Sequence, residues 1–269
     1  MKKITLIIFL SGIIGMNAVD AQIFTQAIDE QELQFKVKLI DEFFRRFNYE
    51  TDYKGDPIVA NTDSVSNDSV MKRKNLVTLL NLDTFADKNG VLDSVSTAFL
   101  NYVIANDKQI HYTDTTWNAE AISSFSMNGK TYPARIFLRT EQVEDVIYKW
   151  VITDIETPAF AELTDTIRSG ASIMPGAHGT SFMTLPETVN HNAKSVQALF
   201  YKGYRPDLLT VFAYLVSTGK IKLQTVTKVI YHFRLDDYGF TVERFEKADS
   251  YNKGWLISNI TKLKNDDKL

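Results

Sequence analysis

Apolar residues recur along the chain first at helical and then at strand spacing, and this change of period is the main structural signal. Leu33, Val37, Ile40, Phe44 and Phe47 fall at i, i+4, i+7, i+11 and i+14. Phe35, Leu39 and Phe43 widen that stripe, while Lys36, Lys38, Asp41, Glu42, Arg45 and Arg46 take the opposite side. The spacing predicts a helix seated in a groove. From Glu50 to Ser69 the pattern dissolves into Asp, Asn, Ser and Thr with Gly55 and Pro57 as breakers, which reads as a long, mobile insertion. Two more helices are predicted. One runs from Val70 to about Leu82 with Leu76, Val77 and Leu80 inward; the other runs from Leu92 to about Ala105 with Val95, Phe99, Tyr102 and Val103 inward. Asp87-Lys88-Asn89-Gly90 supplies the turn between them.

After Ala105 the period falls to two. Trp117 to Phe125 and Tyr132 to Thr140 flank Asn128-Gly129, a dipeptide that tolerates positive φ at both central positions of a tight hairpin. A third strand is expected from about Val146 to Ile155. Pro158, Gly170, Pro175, Gly176 and Gly179 then punctuate a stretch without sustained period, read as a linker over 159–179. Beyond it the order repeats. Helices are expected near Ser181 to Val189, Ala193 to Tyr201 and Pro206 to Thr218, with Gly219 as the C-terminal stop. Strands follow at about Lys220 to Leu235, Phe240 to Glu246 and Gly254 to Leu263, with Asp236 to Gly239 as a turn.

Lys149-Trp150-Val151-Ile152-Thr153-Asp154-Ile155 is echoed by Gly254-Trp255-Leu256-Ile257-Ser258-Asn259-Ile260. Tyr102 with Val103-Ile104 likewise superimposes on Tyr214 with Leu215-Val216. The expected fold class is therefore α+β, with two similar units, each of about three helices followed by a curved antiparallel sheet of three or more strands. Their bounds are 22–158, carrying the insertion 50–69, and 180–269. Trp150 and Trp255 read as core residues of equivalent strands.

Composition adds an address. Lys2 and Lys3, the apolar run from Ile4 to Ile14 and the small residues of Val19-Asp20-Ala21 read as a cleaved secretory signal over 1–21, so the mature chain is expected to start at Gln22. This places the protein in the periplasm or outside the cell. The 269 residues include no cysteine, which excludes a lipidated cysteine, disulfides and thiolate metal sites. With 30 basic against 33 acidic residues there is no cationic stripe for a phosphate backbone, so nucleic acid is not an expected partner. No membrane span is expected after signal cleavage.

Helices followed by an antiparallel sheet ending in Lys149 to Ile155, and again in Lys253 to Ile260, resemble the nuclear-transport-factor-two-like fold, also called cystatin-like. In that fold the tryptophan of the last strand packs under the helices. The resemblance implies tandem domains and leaves activity open, because the fold includes isomerases, dehydratases and many pocketed binding modules. Pro175-Gly176-Ala177-His178 and Phe182-Met183-Thr184-Leu185 are similar to a segment found in a group of secreted bacterial proteins, a likeness that carries no activity.

The chemistry on offer is sparse. His111, His178, His191 and His232 lack the close spacing of a zinc site, and no His-Glu-x-x-His occurs. His232 shares a strand face with Lys222, Gln224, Lys228 and Arg234, as on a solvated surface. His178 is the candidate ligand-binding residue: Gly176 and Gly179 allow a tightly turned backbone at the expected domain junction, where clefts form. Its structural alternative is a ring bonded to a backbone carbonyl. Ser181 has no third member for a triad, and no glycine-rich phosphate loop is present. Setting Gly90 at the sixth position of a calcium loop puts Phe85 first and Ser96 twelfth, so the ligating carboxylates are missing. Glu120, Asp154 and Glu243 are the strand carboxylates available as a general base, since an apolar pocket raises a carboxyl toward neutrality. The expected function is an exported, non-catalytic binding or accessory protein for a small molecule, a glycan or an envelope protein, without cofactor or metal. The alternative is a pocket enzyme of lyase or isomerase type with a buried carboxylate base and His178 or a tyrosine as partner. Association through sheet faces, between the two units or between copies, stays open.

Overall fold

A computed structural model describes residues 36–37, 39–58, 65–145, 147–161, 183–191, 193–201, 204–248 and 252–263. The signal over 1–21, His178 and most of the expected linker lie outside the described residues.

The protein is α+β. Its strands are β1 (Lys36–Val37), β2 (Trp117–Met127), β3 (Lys130–Glu144), β4 (Ile147–Glu156), β5 (Ile221–Leu235), β6 (Tyr238–Phe245) and β7 (Lys253–Lys262), in the sheet order β1-β7-β6-β5-β2-β3-β4. β5, β6 and β7 pair antiparallel in sequence, whereas β1 joins β7 in parallel. The helices are α1 (Ile40–Phe47), α2 (Val65–Thr78), α3 (Leu82–Phe85), α4 (Ser94–Ala105), α5 (Leu185–His191) and α6 (Leu208–Ser217). None of the described helices is long and apolar enough to cross a membrane.

Two compact units emerge, and both draw on chain from either side of 159–179. One takes residues up to 119 with 140–149 and 229–269; the other takes 120–139 with 150–228. The first has a core of Phe43, Phe47, Leu80, Phe99, Phe233, Phe240, Val242, Leu256 and Ile257, among others. Its rings interlock: Phe240 lies 4.9 Å from Phe233, 5.4 Å from Phe99 and 5.8 Å from Phe47 between centroids. Period-two alternation in β6 sends Tyr238, Phe240 and Val242 inward, and α1, α2 and α4 contribute Phe43, Leu76 and Phe99 to the same core. The second unit is built on Phe125, Ala134, Ile136, Ile155, Phe160, Phe212 and Ile221.

Turn chemistry follows the sequence closely. Asn128 and Gly129 take φ of 52° and 74°, and Gly90 and Gly219 stand at 76° and 71°. Asp87 Oδ1 accepts from the amides of Asn89 and Val91, an Asx-turn at the expected place. Asp236-Asp237 form the β5–β6 turn, two residues rather than the four from Asp236 to Gly239, because Leu235 already pairs with Tyr238.

Several expectations are corrected. Lys36–Val37, read as helix, are strand, hydrogen-bonded along the edge of β7, and Leu39 is extended and exposed; the helix begins only at Ile40. The insertion at Glu50 to Ser69 is partly regular, since Thr51 bridges Pro57 around Gly55 and α2 starts at Val65. Val95 is exposed, because α4 starts at Ser94 with Asp93 as its cap and turns Ser96, Phe99, Leu100 and Val103 inward. Ala193–Leu199 is a 3₁₀ segment instead of an α-helix. The start of the stretch read as linker is ordered: Pro158–Phe160 form a 3₁₀ turn, capped by Thr157, that buries Phe160.

The tryptophans are not equivalent. Trp255 is half-buried and packs on the first core beside Tyr231, at 5.1 Å between rings, whereas Trp150 is 41% exposed on β4. The core role expected for Trp150 is therefore overturned: β4 turns its odd positions, Val151 and the fully buried Ile155, toward the second core, and Trp150 falls on the other face.

Candidate functional site

In the second unit, β2, β3 and β4 each present one charged side chain to a common point. Arg135 Nε donates to Glu120 Oε1 at 2.6 Å and Arg135 Nη1 to Glu156 Oε2 at 2.6 Å. Glu120 is only 4% exposed, while Arg135 and Glu156 are exposed at the rim. The guanidinium carbon also lies 5.2 Å from the centroid of the Phe137 ring. The bond to Glu120 pushes the Arg135 pKa above its already high ordinary value. Charge-assisted bonds of this kind fix geometry. They also engage Glu120 in an ion pair, the opposite of a carboxyl stranded in an apolar pocket. Arg135→Ala is expected to lower unfolding free energy by about 1–3 kcal/mol, because a carboxylate stays in a closed site without its guanidinium. Urea denaturation checks this, and Glu120→Gln in the same background is expected to recover part of the loss.

Beside this bracket the same face of β4 carries the exposed Asp154 and, beyond it, exposed apolar side chains. Ile152 is 43% exposed and shares the β4 period with Trp150 and Glu156.

The first unit holds two polar groups of its own. Ser258 Oγ donates to Glu243 Oε1 at 2.9 Å and lies 2.7 Å from Thr241 Oγ1, next to the register shift between Thr241 and Val242. His232 pairs with Thr241 across β5 and β6 and is half-buried, less solvated than its strand face predicted. Here Ser258 bonds the carboxylate directly, so this is not a triad with histidine between nucleophile and acid.

The second group pins α4 to the β5–β6 turn. Tyr102 donates its hydroxyl proton to Asp236 Oδ2 at 2.7 Å, and Lys108 Nζ reaches the same oxygen at 2.6 Å. The bond to Asp236, with desolvation, raises the Tyr102 phenol to about 12. A phenol whose pKa is raised on folding stabilises the protonated native state. That contribution is complete below the ordinary tyrosine value and is lost as pH rises toward about 12. Tyr102→Phe is therefore expected to flatten the alkaline fall in stability between about pH 10 and 12, measured by denaturation midpoints across that range.

The remaining expected residues are scattered. Asp154 is exposed and its Oδ1 accepts from the amide of Ile155; His111 and His191 are exposed. Glu120 and Glu243 fall in different units. Among the described residues no three His, Cys, Asp or Glu side chains gather as a metal site. Sequence reasoning missed Arg135, although the signal was present: counting outward from a two-residue turn at Asn128-Gly129 brings Glu120 and Arg135 to diagonal, opposite-charge positions. No family model matches the chain, and neither a curated protein nor a solved structure does.

Proposed function

We propose that the protein is an exported, non-catalytic binding or accessory protein, and that β4 with its Arg135-centred charge bracket is the working surface. The observation that carries this reading is the exposure of Trp150 and Ile152 on a strand tied by Glu156 and Arg135 to the buried Glu120. Exposed aromatic and aliphatic side chains on a rigid backbone, rimmed by fixed charges, are the ingredients of a recognition surface. The carboxylates suited to base catalysis are otherwise engaged: Glu120 by Arg135, Glu243 by Ser258, Asp154 by its neighbouring amide. The resemblance to nuclear-transport-factor-two-like proteins supports a binding role, since many members are binding modules. Lys2, Lys3 and the apolar run from Ile4 to Ile14 support export.

The test has two parts. Expressed in a bacterium, the protein is expected in the periplasmic or secreted fraction with Gln22 as its first residue. Purified from that fraction, it is expected to show no turnover across panels of ester, glycoside and lyase substrates. Retention in the cytoplasm with residues 1–21 attached removes export, and robust turnover removes the binding reading.

A further inference from the structure

We propose that the protein modifies itself at Asn128, whose side-chain amide is lost as the Gly129 nitrogen closes on it, and that the isoaspartyl product loosens the hairpin holding Glu120 against Arg135. This chemistry is independent of what β4 binds.

The chain holds two Asn-Gly pairs, Asn89-Gly90 and Asn128-Gly129. Asparagine is a thermolabile residue, most of all before glycine, where no side chain obstructs closure of a five-membered ring. The two pairs stand in different surroundings. At the first, the Gly90 amide donates to Asp87 O at 2.9 Å, the Asn89 amide donates to Asp87 Oδ1 at 2.8 Å, and Asn89 Nδ2 donates to Asp87 Oδ2 at 3.4 Å. Asp87 thus holds both the attacking nitrogen and the group it would expel. At the second, Asn128 and Gly129 are exposed at the tip of the β2–β3 hairpin, with φ of 52° and 74°. Among the described residues neither the Gly129 amide nor the Asn128 side chain has a hydrogen-bond partner. A Cβ added at Gly129 would meet no atom within 4 Å, so base from solvent reaches the amide unobstructed.

The Gly129 N–H gives its proton to that base, the nitrogen attacks Asn128 Cγ, and the Cγ–Nδ2 bond breaks with Nδ2 leaving as ammonia. Water then opens the succinimide at either carbonyl, giving aspartate or isoaspartate at position 128. Nothing is oxidised or reduced. Either product makes the formal charge one unit more negative than −3. Isoaspartate also routes the main chain through the side-chain carboxyl carbon and so adds an atom to a two-residue turn. Turn geometry fixes the register of a hairpin, and across this one Arg135 Nε meets Glu120 Oε1 at 2.6 Å.

The test holds the folded protein in mildly alkaline buffer for days and follows the peptides carrying residues 89 and 128 by mass spectrometry, with fragmentation that separates aspartate from isoaspartate. A one-dalton gain is expected several-fold faster at Asn128 than at Asn89. Guanidinium is expected to erase the difference, because it releases both pairs from the turns that distinguish them. Asn128→Gln, which must close a six-membered ring, is expected to remove most of the ammonia that the folded protein releases. The separated isoaspartyl form is expected to have a lower denaturation midpoint than Asn128→Asp, which carries the same charge on an unaltered main chain. Equal rates at the two sites in the folded protein, a faster rate at Asn89, or undiminished ammonia from Asn128→Gln overturns the site, and equal midpoints overturn its effect on the hairpin. None of these results bears on turnover in the substrate panels, so failure here and failure of the binding reading are separable.

Discussion

Phe240→Ala is expected to cost about 3–5 kcal/mol of unfolding free energy, the upper range for a single core truncation. Phe240 is 2% exposed and is ringed by Phe47, Phe99 and Phe233. Removing it takes a full aromatic side chain out of the core and leaves a cavity walled by other rings, which cannot all collapse into the space because α1, α4 and β5 hold them from three directions. Guanidinium denaturation measures the loss as a lower midpoint at unchanged slope. Trp150→Ala is the contrast. Trp150 is 41% exposed against 2% for Phe240, so the same truncation is expected to cost clearly less, about 1–2 kcal/mol. Equal losses at the two sites would mean that Trp150 is covered in solution.

The second large effect is expected at Asn252. Its side chain is 2% exposed, and Nδ2 donates to the carbonyls of Thr78 at 2.9 Å and Leu80 at 2.6 Å, joining the start of β7 to the end of α2. The chain is pinned again there by the amide of Asn81 donating to Ile257 O and the amide of Ile257 donating to Leu79 O. Asn252→Ala strips a donor from two carbonyls where water has little access, at an expected cost of about 3 kcal/mol. Asn252→Asp is expected to be at least as damaging, because a carboxylate has no N–H to give and would bring a charge into a closed site. Denaturation gives the global loss, and faster hydrogen exchange at the Ile257 amide is expected to report the local one. A near-neutral Asn252→Asp would show that the donor role assigned to Nδ2 is mistaken.

Both residues show how far the sequence can be read. Phe240 announces itself, as an aromatic at an inward period-two position just after a turn. Asn252 does not, because an asparagine among polar residues looks like loop until the fold brings Thr78 and Leu80 beside it. The same split runs through the candidate site. Glu120 was visible as a strand carboxylate and Arg135 was within reach of hairpin counting, but Glu156 joins them only because β4 lies next to β3. Trp150 and Trp255 sit in similar words, and those words say strand in both cases. Which face of a strand is covered is a property of its neighbours: β7 lays Trp255 on the first core, while β4 gives Ile155 and not Trp150 to the second.

Local physics was thus settled by the chain itself. Period, capping and turn residues act over a few positions, so Asn128-Gly129, Asp87 to Gly90, the alternation of β6 and the inward positions Phe43, Phe44 and Phe47 of α1 and Phe99 and Val103 of α4 were written in neighbouring side chains, whereas Val37, Leu39 and Val95 were not. Partnership across long separations was settled only by the tertiary structure. The first core joins Phe43 and Phe99 to Phe233, Phe240 and Ile257, and no repeat of short motifs encodes that choice. Burial and strand order arise from the simultaneous packing of distant segments, whose free energy depends on what each one finds to cover it, and a local pattern carries no record of that.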